Sequence, residues 1–435
     1  MKTQVEHAVD GIITEQMATV AHDEDLSPEY IRAMVAEGKI VIPNNSNSTP
    51  KPVGIGKGLR TKVNASIGTS SDIVNYQAEV RKARIAEQAG ADTLMELSVG
   101  GNLDRVRREV LAAVNLPVGN VPLYQAFCDA TRKYGSADKL APEELFDLIE
   151  QQCEDGLAFM AIHCGINRYT IERLRKQHYR YGGLVSKGGT SMVSWMEHNN
   201  RENPLYEQFD RVVGILKKYD VCLSLGNGLR AGAIHDSHDR AQMQELIINC
   251  ELAQLGREMG CQMLVEGPGH MPLDEVEANI LIQKRMSNEA PYYMLGPIST
   301  DVVPGFDHIS SAIGAAQSAR YGADLICYIT PAEHLALPNE DDVRSGVEAA
   351  RVATYIGDMN KYPDKGRQRD KAMSKARRDL QWDKQFELAL MPEQARQVRD
   401  SRLPEEEHSC TMCGNFCAAN GSKALFDGDL QGDKC

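Results

Sequence analysis

Between about residue 59 and residue 330 the chain repeats one pattern: a short β-branched or apolar run, an amphipathic stretch with helical spacing, then another run. The runs fall at 60–65, 93–97, 118–122, 158–163, 183–186, 221–225, 262–266, 292–295 and 325–330. Helical stretches lie between them, among them 72–88, 103–113, 206–219, 241–259 and 310–320. Strands separated by whole helices pair in parallel, since a parallel connection needs a crossover of a dozen or more residues. Sustained over roughly 270 residues, this alternation has the length of a (β/α)8 barrel. Nine runs are one more than such a barrel takes, and the short glycine-bounded run 183–186 or a flanking strand is expected to be irregular. The predicted fold is therefore α/β. A (β/α)8 TIM barrel at 59–335 is preceded by a segment at 1–58 and followed by helices at 336–400 and by a linker, cysteine loop and tail at 401–435.

The flanks read more simply. Ser27 and Pro28 supply an N-cap and a first helical residue for a helix that runs to about Gly38, ahead of a short strand at 40–42 and a polar loop. Gly54, Gly56 and Gly58 alternate without the Walker pattern and read as a flexible turn. Beyond residue 338 the barrel pattern stops and charged helices follow. The basic run 367–378 contains Asp370 and no aromatic residue, as expected of a solvated helix face.

Composition excludes several functions. A formal net charge of −13 opposes general binding to nucleic acid or anionic membranes, which needs clustered Lys and Arg. No apolar run approaches the ~18 residues of a membrane span, and the first 20 residues lack a signal-peptide core. Cys128, Cys153, Cys164, Cys222, Cys250, Cys261, Cys327 and Cys435 are scattered singly, unlike a secreted disulfide framework. A reducing cytoplasm is the expected location.

A barrel places its active site at the C-terminal ends of its strands. Polar or ionisable residues stand there after nearly every run: Asn64, Glu96, Tyr124, His163, Ser186, Asn227 with Arg230, Glu266 with His270, and His334. In Glu266-Gly-Pro-Gly-His270 a carboxylate and an imidazole share one turn. His270 and His334 can hold one divalent metal through neutral imidazole nitrogens and leave it open positions, with His308 a further candidate. Glycines around Lys187 and Arg230, in Ser186-Lys-Gly-Gly and Asn227-Gly-Leu-Arg230, expose backbone N–H groups beside a cation, as a phosphate cradle requires.

The other dense cluster is Cys410-Thr-Met-Cys413-Gly-Asn-Phe-Cys417. Three thiolates from one tight loop can hold a [4Fe–4S] cluster with one iron open to a small molecule. The same spacing also suits a structural zinc site completed by His408, or an electron-transfer module.

The cysteine loop, together with Asn64-Ala-Ser-Ile-Gly, Val121-Pro-Leu-Tyr124-Gln, Ile162-His163, Glu266-Gly-Pro-Gly-His270, Leu295-Gly-Pro and Thr330-Pro-Ala-Glu-His334-Leu, resembles the ThiC family of radical S-adenosylmethionine (SAM) enzymes. The resemblance extends from Gly11 to Ala418. It implies a lyase acting on 5-aminoimidazole ribotide (AIR), with SAM, a [4Fe–4S] cluster and a divalent metal, zinc or iron, as cofactors. It further implies a one-electron reductant of flavodoxin or ferredoxin type, and a homodimer whose cluster loop serves the barrel mouth of the partner subunit. Matched position by position, Asn64, Met95, Tyr124, His163, Ser186, Lys187, Gly188, Asn227, Gly228, Leu229, Arg230, Glu266 and Tyr293 become substrate contacts. His270 and His334 become the metal ligands and Cys410, Cys413 and Cys417 the cluster ligands, while Glu266, His163, Glu96 and Asn227 carry the chemistry. Glu96, Asn227, Cys164 and Ala231 depart from the residues usual in the thiamin-pyrimidine branch, phosphomethylpyrimidine synthase, as does the spacing of three between the last two cysteines. These departures point to the branch whose product is 5-hydroxybenzimidazole, the lower-ligand base of an anaerobically made cobamide.

Overall fold

The computed structural model describes residues 2–177, 179–404, 409–419 and 421–422. Strands β1 (Ile40–Val41) and β2 (Ile55–Gly56) form a small antiparallel pair. Eight more close into a parallel barrel: β3 (Lys62–Ile67), β4 (Thr93–Glu96), β5 (Val118–Asn120), β6 (Phe159–Ile162), β7 (Cys222–Leu225), β8 (Met263–Glu266), β9 (Tyr292–Leu295) and β10 (Leu325–Cys327). The ring closes where β10 pairs with β3, Cys327 opposite Asn64. The predicted (β/α)8 barrel is the observed fold. The ninth run is irregular as expected: Gly183 takes a φ of 63°, and the run ends at Ser186, which caps the Lys187–Asn199 helix instead of joining the sheet.

Local chemistry sets the element ends. The first barrel helix starts at Tyr76, not at 72, because the Asn75 side chain accepts the N–H of Ala78. Gly56 belongs to β2 and not to a flexible turn. Its φ is 143°, and a Cβ there would lie 2.1 Å from the Lys39 carbonyl oxygen, so only glycine allows this strand pair to close.

Residues before β3 form helices over a second, smaller core of Met17, Val20, Ile31, Val35 and Leu59. This layer is tied to the starts of the strands. Thr3 Oγ1 donates to the Gly260 carbonyl (2.7 Å), Ile42 N–H donates to Gln262 Oε1 (2.6 Å), and Lys62 Nζ pairs with Glu24 (2.7 Å). It therefore covers the N-terminal face of the barrel and leaves the opposite face for chemistry.

The chain divides into two compact units, Met1–Gly357 and Asp358–Cys435. The first contains the barrel and most of the Glu340–Lys361 helix, whose Val343, Val347, Ala350 and Ala353 enter the main core. The second contains the Pro363–Arg378, Trp382–Leu388 and Pro392–Asp400 helices and the described part of the cysteine loop. Among the described residues no helix is long and apolar enough to cross a membrane.

Candidate active site

At the C-terminal ends of the strands the barrel opens into a cup. Its floor and walls are apolar at Met95, Leu97, Val121, Ala161 and Leu295, and polar at Ser66, Tyr124, His163, Asn227, Arg230, Glu266, Tyr293 and Cys327. Seven of the predicted substrate contacts, Met95 among them, thus line one cavity, although they come from six different strands or the segments that follow them.

His163 follows β6 and is 3% exposed. Three glycines enclose its ring. A Cβ on Gly188 would lie 2.6 Å from Cε1, one on Gly228 2.9 Å from Cδ2, and one on Gly226 3.0 Å from Cδ2. Burial, reinforced by the nearby Arg230 charge, lowers the imidazole pKa to about 3, so the ring is neutral near pH 7. Its Nε2 lies 3.1 Å from Ser186 Oγ, and its buried Nδ1 has no protein partner among the described residues.

Ser186 in turn caps the Lys187–Asn199 helix, its Oγ accepting the N–H of Gly189 at 3.1 Å. This 13-residue helix therefore begins beside the cup, and the positive end of its dipole is flanked by Lys187, whose Nζ is 5.9 Å from the Tyr124 ring centroid. Burial raises the Tyr124 phenol above its ordinary pKa, so it remains a hydrogen-bond donor.

Opposite lies the loop after β7. Asn227 is 1% exposed, its Oδ1 is buried without a protein partner, and its Nδ2 donates to Glu245 Oε2 at 3.2 Å. The same carboxylate accepts the N–H groups of Gly228 (2.8 Å) and Leu229 (2.7 Å). Gly228 and Leu229 thus shape the loop and do not line the cup, whereas Arg230, half-buried, does. Glu266, at the end of β8, accepts from Ser224 Oγ at 2.8 Å, and burial raises its carboxyl above the usual range. Tyr293 donates to Met95 Sδ at 3.5 Å.

Two predicted residues lie behind the wall. Side chains alternate along a strand, so with Met95 and Leu97 facing the cup Glu96 faces away from it. Glu96 accepts the N–H of Ser98 at 2.8 Å, and burial raises its pKa to about 7. Asn64 sits one layer beneath the cup: its Oδ1 accepts from Thr93 Oγ1 (2.8 Å) and its Nδ2 points at Ser66 Oγ (3.3 Å) and Cys327 Sγ (3.6 Å). Ser66 and Cys327, which do line the cup, were not picked out as site residues from sequence.

The His270 and His334 rings stand with centroids 5.2 Å apart. His270 Nδ1 is 2.7 Å from Asp301 Oδ1 and His334 Nδ1 3.3 Å from Asp307 Oδ1. A carboxylate on Nδ1 fixes the ring and its tautomer and directs Nε2 to a ligand, the outer arrangement of a histidine metal site. Asp307 hydrogen-bonds His334, whereas the Nδ1 of the adjacent His308 is buried without a hydrogen-bond partner among the described residues. Among the described residues no three His, Cys, Asp or Glu side chains converge closely enough to hold a metal unaided.

In the second unit Cys410, Cys413 and Cys417 bracket one 3-10 turn, Gly414–Phe416, with Gly414 N–H donating to the Cys410 carbonyl (3.0 Å) and Gly421 N–H to that of Cys417 (2.9 Å). The backbone N–H groups of Met412 and Cys413 lower the Cys410 thiol pKa, which favours the thiolate that iron or zinc requires. Cys413 is exposed and the other two are half-buried. His408 lies outside the described residues.

Comparison with known proteins extends this geometry. A sequence model of the radical SAM ThiC family matches residues 3–424. The chain is 99% identical over its full length, and over 100% of the relative, to a 5-hydroxybenzimidazole synthase of Desulfuromonas acetoxidans. It is 78% identical, with the whole of both chains covered, to a protein of that name from Geobacter sulfurreducens. To phosphomethylpyrimidine synthase 1 of Methanosarcina barkeri it is 58% identical, over 96% of this chain and 97% of that one.

Proposed function

The chain belongs to the radical SAM ThiC family, and on that footing we propose that it is a 5-hydroxybenzimidazole synthase, a carbon–carbon lyase acting on AIR. The observation that carries this reading is 99% identity, without a gap in coverage, to a protein of that name. The thiamin-pyrimidine reading is weaker, since relatives named for that product stand at 58% identity and below among those compared, while four named for the benzimidazole stand at 66% and above.

In this reading Cys410, Cys413 and Cys417 hold a [4Fe–4S] cluster. When bound and reduced by one electron from a flavodoxin- or ferredoxin-type partner, that cluster would supply reductive cleavage of SAM and so hydrogen abstraction from the AIR ribose. Ordinary binding and positioning fall to the barrel. Arg230, Lys187 and the N–H groups opening the Lys187–Asn199 helix hold the phosphate. The apolar floor at Met95 and Leu97 takes the ring and sugar faces and limits water. Tyr124 donates and the Asn227 Oδ1 accepts hydrogen bonds. Neutral His163 presents its free Nδ1, and Glu266, with its raised pKa, exchanges a proton as the sugar carbons are rebuilt. Asn64 and Glu96 act from behind the wall, and Gly188, Gly228 and Leu229 through the shape of the loops. His270 and His334, each oriented by its aspartate, would hold one zinc or iron ion and leave it positions for SAM or substrate. The working form is a homodimer in the cytoplasm, with the cluster loop of one subunit serving the other.

An anaerobic assay with reconstituted enzyme, AIR, SAM and a reductant tests this. 5-Hydroxybenzimidazole, identified by mass and fluorescence, is the expected product. Phosphomethylpyrimidine would overturn the product assignment. Bound zinc with no iron uptake and no SAM cleavage would overturn the radical reading altogether.

A further inference from the structure

The loop Gly226–Ala231 carries polar cup residues, yet it belongs to neither a strand nor a helix. Its backbone groups, almost all buried, must therefore find other partners. Gly226 N–H donates to the Ile162 carbonyl (2.9 Å) and Asn227 N–H to Glu266 (3.4 Å), and several of the others find partners on one face of the Arg240–Glu258 helix. Asn249 Nδ2 donates to the Gly226 carbonyl (3.2 Å). Glu245 accepts from Gly228 N–H, Leu229 N–H and the Asn227 side chain, and Gln242 Oε1 accepts from Ala231 N–H (3.0 Å). The positions 242, 245 and 249 are three and seven apart and so form one helical stripe. All three are at most 1% exposed, on a face that apolar side chains would ordinarily fill. Close approach is secured by Gly165, where a Cβ would lie 2.3 Å from Asn249 Oδ1. Arg180 completes the frame: its Nη2 donates to the Leu229 carbonyl (2.6 Å), and its Nε is anchored on Asp239, the N-cap of the same helix (2.7 Å).

We propose that the stripe Gln242–Glu245–Asn249 is a positioning device that fixes the Asn227–Arg230 loop in the orientation from which it grips a phosphorylated substrate. This rests on the reading that the loop contacts AIR. Glu245 is its centre, because the two oxygens of its carboxyl group accept three N–H groups and fix both ends of the Asn227–Leu229 segment. None of the three residues lines the cup, so they act through the loop and not on the reacting atoms.

The test uses the full chain and the substitution Glu245→Gln. Glutamine keeps the shape but turns an N–H2 toward backbone N–H groups that need an acceptor. Amide hydrogen exchange is expected to accelerate in 226–231 and to stay unchanged in β7. AIR affinity, measured by calorimetry, is expected to weaken about ten- to hundredfold, with KM rising much more than kcat falls. Unchanged exchange in the loop, or faster exchange with unaltered AIR affinity, overturns the proposal. Failure of the unaltered enzyme to bind AIR overturns the substrate reading instead, and the exchange measurement still decides whether the stripe holds the loop. Should Glu245→Gln fail to fold, Asn249→Ala, which removes only the donor to Gly226, carries the same comparison.

Discussion

Replacing Gly188 by alanine sets two physical effects against each other. Helix propensity favours alanine over glycine by about 0.5–1 kcal/mol, and Gly188 lies in the first turn of the Lys187–Asn199 helix without a positive φ. Packing opposes it. The new Cβ would sit 2.6 Å from His163 Cε1, 3.0 Å from Nδ1 and 3.2 Å from Nε2, against an ordinary carbon contact of about 3.5–4.0 Å. Retreat of the ring is limited, because Gly226 and Gly228 also close on it, their Cβ positions falling 3.0 and 2.9 Å from Cδ2. A shift of about 1 Å would stretch the 3.1 Å contact to Ser186 beyond hydrogen-bonding range and loosen the helix cap. Overpacking costs about 1–3 kcal/mol and the lost hydrogen bond about 1 more, so packing wins by roughly 1–3 kcal/mol. Gly214 provides the control: it is exposed in the Phe209–Tyr219 helix and a Cβ there meets nothing within 4 Å, so Gly214→Ala should gain about 0.5–1 kcal/mol. Urea unfolding of the two variants beside the parent reads both signs, and AIR calorimetry should show weakened binding for Gly188→Ala only. Equal stabilisation by the two substitutions, with AIR affinity kept, would refute the three-glycine cradle.

Asp301→Asn should lower affinity for a divalent metal about ten- to hundredfold, because it removes the carboxylate that orients His270; zinc titration of the purified chain checks this, and unaltered affinity would break the pairing argument. His163 should make stability depend on pH in a definite direction. Its folded pKa of about 3 lies below the unfolded value near 6.5, so as pH falls below 6.5 the unfolded chain gains a proton that the folded one refuses. Between pH 6.5 and 5 this amounts to about 2 kcal/mol of lost stability. The parent should therefore lose more than His163→Gln over that interval in urea titrations at each pH, and parallel losses would contradict a buried neutral imidazole.

The barrel was legible because its signal is repeated: each strand and helix is short, but the alternation recurs often enough to impose parallel topology. The lining of the candidate site was legible where a polar residue follows an apolar run and faces inward, as with His163, Asn227 and Glu266. It was misread where the position alone was right. Glu96 also ends a run, yet period-two alternation turns it outward between Met95 and Leu97. Counting alternation from Met95 would have revealed this. Asn64 shares a face with Ser66 and lies one layer deeper, so the residue two further along meets the cup. Glu245 left no such trace. A glutamate in a helix is ordinarily solvated, and only the approach of an irregular loop from another part of the chain makes its burial intelligible. Cysteine spacing marked the candidate ligands of the second unit, but spacing alone says nothing of how three sulfurs are brought together.

Two residues that line the cup each have a buried polar atom without a protein partner among the described residues, His163 Nδ1 and Asn227 Oδ1. Neither can turn to find one. The imidazole is wedged between glycines, and the Asn227 amide is held by its other end on Glu245. Each such atom costs about 1–3 kcal/mol when it is left unpaired against a ligand that does not match it. A ligand with hydrogen-bonding groups at both places avoids that penalty, whereas one of equal size lacking them meets it twice. Discrimination of this kind grows with the rigidity of the groups that impose it, since a side chain free to rotate would find water or another partner. Selectivity in the cup thus depends on groups behind its polar lining: glycines whose missing side chains let the backbone close on the His163 ring, and the Glu245 carboxyl group behind the loop.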